Sequence, residues 1–157
     1  MKNVGALSKS DLENLFSHGR VEALPGFVPD HIGPASIDIT VSKEAYRVDK
    51  LMRPSGVKAE RVRDMLSGLG ARKIEFGSVL EPGGKYLVKA SINTNFPPGL
   101  YAYANAKSTS GRNFLLARTL VDKVGAYDTL DKRRTGWSGE VWISLEPLVF
   151  PIILTDK

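Results

Sequence analysis

The sequence predicts a mainly β fold with a few helices, arranged as a barrel or sandwich. From about Lys73 onward, six short runs rich in β-branched and aromatic residues are separated by turn signals such as EPGG, FPPG and TGWSG. Only two stretches, both before Lys73, show the apolar spacing of helices. A doubly wound α/β fold would need alternating helices and strands, and the chain contains neither GxGxxG nor a Walker A sequence.

The elements follow in order along the chain. Ser8–His18 is predicted to be a short helix, because Ser10 and Glu13 have capping-box spacing and Gly19 is placed to end it. SIDITV, which ends at Val41, alternates apolar and polar residues and predicts a half-buried strand that EAYRV extends or pairs with. VKAERVRDMLSGLG, residues 57–70, predicts a second helix on the surface. The later predicted strands are KIEF, KYLVKAS, LYAYANA, NFLLARTLV, GEVWISLE and LVFPIIL.

Length and composition predict a single domain over residues 1–157, with an N-terminal helix and loop over 1–33 and the barrel over 34–157. Apolar residues make up 42% of the chain, which is enough for a core, and the net charge of +5 favours anionic partners. The absence of cysteine excludes disulfides and thiolate zinc sites. No apolar run reaches the roughly 18 residues that span a bilayer, so we expect no membrane partner and a cytoplasmic protein.

The stretch AKSTSGR concentrates groups that bind phosphate. Lys107 and Arg112 are cationic, three hydroxyl residues lie between them, and Gly111 permits close approach or a positive φ. Successive N–H groups of such a loop can form an anion-binding nest, and arginine suits a bidentate grip on phosphate. From the residues alone, a triphosphate site, a nucleic-acid contact, a phosphorylation site and an ordinary polar turn all remain open.

A second polar stretch follows, LVDKVGAYDTLDKRRTGWSGEVWISLE. Asp122, Asp128 and Asp131 cluster before a glycine-rich turn; turn capping is one interpretation of Asp122 and Asp128, and KRR is typical of a solvated charge run. Asp128 is a stronger functional candidate, because it follows an aromatic residue at the end of an apparent strand. Asp38, in GPASIDI, is expected to be a surface carboxylate or the partner of an arginine.

The order of these motifs resembles the dCTP deaminase branch of the dUTPase-like superfamily. Four motifs follow one another in the family's order: PASIDI, KSTSGR, the aspartate-containing loop and Trp-Ser-Gly before a strand. KSTSGR is the most specific of them. The similarity covers most of the chain, best over 34–48 and 86–154, and is strongest to the longer branch of 2′-deoxycytidine 5′-triphosphate deaminases. Members of that branch continue beyond the segment matched here, so the chain is expected to be short at its C-terminus.

The resemblance implies a distorted β-barrel of the β-clip type, a homotrimer with active sites between subunits, and hydrolytic deamination of dCTP to dUTP without zinc. The nucleotide would bring Mg²⁺ with it, and the protein would supply no metal site. Ser108 would contact the base and the attacking water, and Asp128 would lie near the sugar. The nucleotide-binding set implied by the resemblance is Lys107, Ser108, Thr109, Ser110, Gly111, Arg112 and Asp128.

The general base is where the chain departs from the family. The resemblance places a glutamate on the strand after the Ser-Gly turn, and counting from Gly139 puts Ser144 there. Glu146 lies two residues later, and a bulge would bring it into the site. Ser108, Arg112 and Glu146 are therefore the predicted catalytic residues.

Three other functions compete with deamination. A catalytically silent nucleotide-binding or oligomerisation module would fit Ser144. A dUTPase-like pyrophosphatase would use Asp128 to position water near the α-phosphate. A basic nucleic-acid-binding barrel would stack bases on aromatics such as Tyr101 and Tyr103, although barrel core is the expected place for these rings.

Overall fold

The computed structural model describes residues 5–52, 61–131 and 135–155. These residues form three α-helices and ten β-strands, which confirms the mainly β prediction. The helices are α1 (Lys9–Ser17), α2 (Val62–Met65) and α3 (Ser108–Arg112). The strands are β1 (Val21–Ala23), β2 (Val41–Val48), β3 (Arg72–Ile74), β4 (Val79–Leu80), β5 (Lys85–Phe96), β6 (Ala102–Tyr103), β7 (Leu115–Val121), β8 (Thr129–Leu130), β9 (Trp137–Pro147) and β10 (Ile152–Ile153).

One antiparallel sheet dominates the molecule. Its order is β3-β2-β5-β9-β7, and β1 pairs with the second half of β5. Two further pairs, β4 with β10 and β6 with β8, form separate two-stranded sheets. The predicted N-terminal helix and loop therefore contributes a strand, β1, to the main sheet.

Apolar side chains pack on both faces of this sheet, because residues alternate along each strand. On one face, α2 and the 3₁₀ turn after it cover Leu87, Leu120 and Trp142 with Val62 and Leu69. The opposite face carries the other two clusters, with α1 contributing Leu15 and Phe16. The predicted helix over 57–70 is thus shorter than expected where it is described, and its residues 57–60 lie outside the described part.

Helix α1 is confirmed, but its predicted cap is wrong by two residues. Ser8 is the N-cap, and its side chain and that of Asp11 form the capping box that was expected from Ser10 and Glu13. Gly19 follows the helix with φ of 65°, a conformation that glycine adopts at little cost, so the predicted stop is confirmed.

Three strand predictions are wrong in extent. LVFPIIL contracts to Ile152–Ile153, the two residues that pair with β4. Residues 36–40 of SIDITV are not part of a strand, apart from a single bridge between Ile37 and Ile32, and β2 begins only at Val41. The LYAYANA strand contracts to Ala102–Tyr103, the two residues that pair with β8. Alternation in sequence indicates an extended chain, and pairing depends on what lies beside it.

Candidate active site

The KSTSGR stretch folds as α3, a single helical turn, and not as a loop. Lys107 is its N-cap residue, and Asn113 N donates to Thr109 O. Ser108, Thr109 and Arg112 are exposed, and Ser110 is half-buried. Gly111 does not have a positive φ, so the prediction that this position needs glycine for a positive φ is wrong. The predicted anion-binding nest is likewise replaced by helical backbone. Open space surrounds the position of a Cβ at Gly111, and its close approach to a ligand stays a prediction.

An ion pair joins the PASIDI and KSTSGR stretches, which are far apart in sequence. Lys107 Nζ lies 2.7 Å from Asp38 Oδ2, 69 positions away. Asp38 was expected at the surface or paired with an arginine; it is part-exposed, and its cationic partner is the lysine of KSTSGR. The segment after α1 and the start of α3 are therefore neighbours in space.

Asp128 is held by two protein groups. Its Oδ1 accepts a hydrogen bond of 2.7 Å from Thr119 N, and its Oδ2 accepts one from Arg118 Nε. The Arg118 guanidinium also lies 5.3 Å from the centre of the Tyr127 ring. Asp128 has φ of 59°, a left-handed conformation in which aspartate is among the less costly residues. The predicted contact of Asp128 with a sugar stays a prediction.

Ser144 is buried, with 4% of its surface exposed, and its hydroxyl donates to Arg118 O over 3.2 Å. Glu146 is half-buried and lies opposite Leu116 on β7. Within the described ranges, its carboxylate has no hydrogen-bond or ion-pair partner. The β7–β9 register runs without interruption from Leu115–Pro147 to Val121–Val141, so the bulge invoked for Glu146 is absent from this pairing.

The strand register brings the predicted site residues to one end of the sheet. Glu146 lies on the part of β9 that pairs with the start of β7, and α3 leads directly into β7. Leu148 N donates to Phe114 O and ties this end of β9 to the residues after α3. Asp128 joins the same region through Arg118, which is opposite Ser144.

The other two aspartates of the loop, Asp122 and Asp131, have structural roles, and the sequence predicts such a role for Asp122 alone. Asp122 is buried, and its two carboxylate oxygens accept hydrogen bonds from Val62 N and Glu140 N. Asp131 accepts from Gly136 N over 2.7 Å. The glycine of Trp-Ser-Gly is also structural, because a Cβ at Gly139 would lie 2.8 Å from Asp122 Cβ.

A polar cluster that the sequence analysis missed lies on the α2 face of the sheet, beside an open groove of about 1060 Å³. Arg63 binds Glu44 and Glu140 together, and its guanidinium lies over Trp142. The hydrogen bonds from Arg63 lower the pKa of Glu44. Burial lowers the pKa of Lys89, whose Nζ donates to Asn93 Oδ1. These residues come from four separate elements, so spacing along the chain gives no signal of the cluster.

The described residues contain no helix with the length and hydropathy needed to cross a membrane. In the same part of the chain, no three His, Asp or Glu side chains are arranged to hold a metal ion.

Comparison with known proteins identifies the family. The family model of the 2′-deoxycytidine 5′-triphosphate deaminase N-terminal domain matches residues 3–156. A search of the curated proteins found no match. Among solved structures, the 2′-deoxycytidine 5′-triphosphate deaminase from Agrobacterium tumefaciens superposes with a TM-score of 0.86 at 28% identity.

The Agrobacterium match covers 94% of this chain and 42% of that chain, so this chain spans less than half the length of that relative. The superposition confirms the predicted dUTPase-like fold, although the strands described here form an open main sheet and two small ones. The resemblance drawn from PASIDI, KSTSGR and Trp-Ser-Gly is likewise confirmed. This chain belongs to the 2′-deoxycytidine 5′-triphosphate deaminase N-terminal domain family.

Proposed function

We propose that this chain takes part in the hydrolytic deamination of dCTP to dUTP and ammonia, as a zinc-independent deaminase. One observation carries the proposal beyond family membership. The Lys107–Asp38 ion pair links the KSTSGR helix to the PASIDI segment, and Ser108, Thr109 and Arg112 are exposed beside it. A compact set of hydroxyl donors with one arginine is suited to phosphate oxygens.

The roles within α3 follow from helical geometry. Ser108 and Arg112 are four residues apart and share one face, so both can reach the same ligand. Arg112 would grip phosphate oxygens through two N–H groups, and Thr109 and Ser110 would add hydroxyl donors. Mg²⁺ belongs to the substrate in this proposal, since it would enter with the triphosphate.

Deamination needs a group that takes a proton from water as the oxygen attacks C4 of cytosine. The tetrahedral intermediate then expels ammonia after the departing nitrogen has been protonated. Glu146 is the carboxylate proposed for this role, because it lies at the α3 end of the sheet and is not engaged by another described residue. Ser144 is unsuited to it, because a hydroxyl is a poor base and this one already donates to Arg118 O.

We further propose that the chain assembles with copies of itself, as a homotrimer or another homo-oligomer. The support is a group of exposed apolar side chains next to α3, each between 45% and 54% exposed: Phe114, Leu116, Leu148, Val149 and Phe150. Exposed apolar patches of this kind mark interaction surfaces. The cytoplasm remains the expected compartment, and nucleic acid remains an unlikely partner in this proposal.

A second candidate function is supported by Ser144. If Glu146 does not reach the substrate, the chain binds the nucleotide and leaves the chemistry to another module. The buried position of Ser144 favours this alternative, because the residue expected to be the base is neither acidic nor accessible.

The test is to incubate the purified chain with dCTP and Mg²⁺ and to follow ammonia, dUTP and pyrophosphate together. Deamination predicts ammonia and dUTP in equal amounts. Glu146→Gln should then lower the rate about 10²–10⁴-fold, the usual cost of losing a general base. Ser144→Ala is the matched control on the same strand face, and its rate should stay within a few-fold of the unchanged chain.

The other outcomes separate the alternatives. Binding of dCTP without any product would identify the silent module. Release of pyrophosphate without ammonia would identify a dUTPase-like pyrophosphatase. A normal rate in Glu146→Gln would remove Glu146 from the mechanism even if the chain is a deaminase.

A further inference from the structure

Arg118 is an arginine whose guanidinium is fixed on one side and open on the other. Its Nε donates to Asp128 Oδ2, and the Tyr127 ring lies beneath the guanidinium carbon. The described part of the chain contains no partner for its two terminal nitrogens. The side chain is 47% exposed, so these nitrogens are accessible from solvent.

The support beneath Arg118 is itself rigid. Asp128 Oδ1 accepts from Thr119 N, so the carboxylate cannot rotate without giving up a backbone hydrogen bond. Asp128 N also donates to Thr119 O, and Asp128 O accepts from Ala104 N. Asp128 is thus fixed at four atoms beneath one exposed ion pair, which by itself contributes little to stability. A support fixed in this way holds a functional side chain in one orientation.

The position of Arg118 relates it to the candidate active site. It lies opposite Ser144, and Leu116, two residues before it on the same strand face, lies opposite Glu146. Arg118 is three strand residues beyond Leu115, about 10 Å along β7. Helix α3 precedes this strand start directly. A triphosphate bound at α3 could therefore extend along β7 toward the terminal nitrogens of Arg118.

We infer that Arg118 is a further substrate-binding residue, which donates from its two terminal nitrogens to a phosphate oxygen of the nucleotide. Asp128 is its positioning residue: it orients the guanidinium and acts through it. Phosphate is the ligand chemistry that fits best, because a permanently charged planar fork presents two parallel donors. The inference rests on the proposed function, since it assumes a nucleotide at α3.

The test measures binding by calorimetry with three probes: dCTP with Mg²⁺, inorganic tripolyphosphate and deoxycytidine. Arg118→Gln should weaken binding of dCTP and of tripolyphosphate about 10- to 100-fold, the loss expected for a charged hydrogen bond. Its affinity for deoxycytidine should not change. Arg118→Lys, which keeps the charge and loses the fork, should show a smaller loss. Arg47→Gln, on an exposed strand position of β2, is the matched control and should bind all three probes normally.

Asp128→Asn tests the positioning role. The amide keeps an acceptor for Thr119 N and suits a left-handed φ, but its NH₂ cannot accept from Arg118 Nε. It should reproduce part of the Arg118→Gln loss for dCTP and tripolyphosphate. In the Arg118→Gln background it should add almost nothing, because the two changes break the same interaction.

Three results would overturn the inference. If Arg118→Gln and Arg118→Lys bind dCTP and tripolyphosphate normally while Arg112→Gln does not, Arg118 has a structural role only and the proposed function survives. If Arg118→Gln weakens deoxycytidine as much as dCTP, its contact is with the nucleoside. If the unchanged chain binds neither dCTP nor tripolyphosphate, the inference and the proposed function both fail.

Discussion

Four non-glycine residues in the described chain have a positive φ: Phe114, Lys123, Asp128 and Asp131. The two aspartates use this conformation to place carboxylates on backbone donors, Thr119 N and Gly136 N respectively. Lys123 is different, because its exposed side chain makes no hydrogen bond or ion pair with the described residues that would account for its φ of 64°. Its conformation is set by the turn between β7 and the loop that follows.

Lys123→Gly should therefore stabilise the fold by about 0.5–1 kcal/mol. The change removes the free-energy cost of holding a side chain in the left-handed conformation. Part of that gain is offset, because glycine loses more conformational entropy on folding. Lys73→Gly, on an exposed position of β3, is the control and should destabilise, because the same substitution there only weakens a strand. Urea unfolding of both variants measures the two signs. A loss of stability in Lys123→Gly would mean that the lysine side chain has a partner of its own.

Asp122 shows what one buried carboxylate can hold together. Asp122→Ala would leave Val62 N, which is buried, and Glu140 N, which is part-buried, without these acceptors, and should cost about 2–5 kcal/mol in the free energy of unfolding. Asp122→Asn keeps one acceptor and should lose about half as much. Chemical denaturation checks the order of the two variants. Equal losses would indicate that charge, and not the two hydrogen bonds, is what the site requires.

At the scale of elements, α2 is attached to the sheet by charge as well as by packing. Arg63 reaches Glu44 on β2 and Glu140 on β9, and its guanidinium covers Trp142. Because the pKa of Glu44 is lowered in the folded state, chiefly by hydrogen bonds from Arg63, its ionised form favours folding. That contribution is fully present above the unfolded pKa of about 4.5 and is lost as the pH falls through the lower folded pKa.

Arg63→Gln should destabilise the fold at neutral pH, and the difference from the unchanged chain should shrink as the pH falls below about 4.5. Unfolding free energies measured at several pH values test this. Arg61→Gln is the control from the same segment, since its ion pair with Asp64 is largely exposed and should matter little at any pH. A difference that stays constant with pH would assign the role of Arg63 to its packing on Trp142.

Elements that pair along their length could be predicted from the sequence, whereas elements defined by distant contacts could not. β5, β7 and β9 follow runs of apolar and β-branched residues, and each lies at or near its predicted place. KSTSGR has poor helix formers and its sequence predicts a loop, yet it forms the short helix α3 between Lys107 and β7. The strand expected before Val41 does not form, for the opposite reason. Apolar and polar residues alternate over residues 36–40, but the only β-bridge described there joins Ile37 to Ile32.

The same distinction applies to the candidate site. Lys107 and the α3 residues could be found by their chemistry in one short stretch. Arg118 could not be found in this way, because its proposed role depends on contacts with Asp128 and Tyr127. These two residues reach Arg118 only when the intervening loop folds back. No local pattern of residues reports such a contact.

At the scale of the whole molecule, the exposed apolar residues beside α3 form a candidate interaction surface. Phe114 and Phe150 are in edge-to-face contact with ring centres 5.8 Å apart, and both are about half exposed. Leu148 and Val149 extend the same surface along the turn after β9. Water contact with this many large apolar side chains is unfavourable, and association would relieve it.

We therefore expect the chain to self-associate through this surface. Phe150→Asp should shift it to the monomer without loss of fold, because the side chain is 54% exposed and a charge there remains solvated in the monomer. Sedimentation velocity over a range of concentrations measures the shift, and circular dichroism checks the fold. Met52→Asp, at a position 47% exposed and outside the five-residue patch defined above, should leave the assembly unchanged. If the unchanged chain stays monomeric at every concentration, the prediction of self-association is wrong. If Phe150→Asp remains oligomeric, the interface lies elsewhere on the chain.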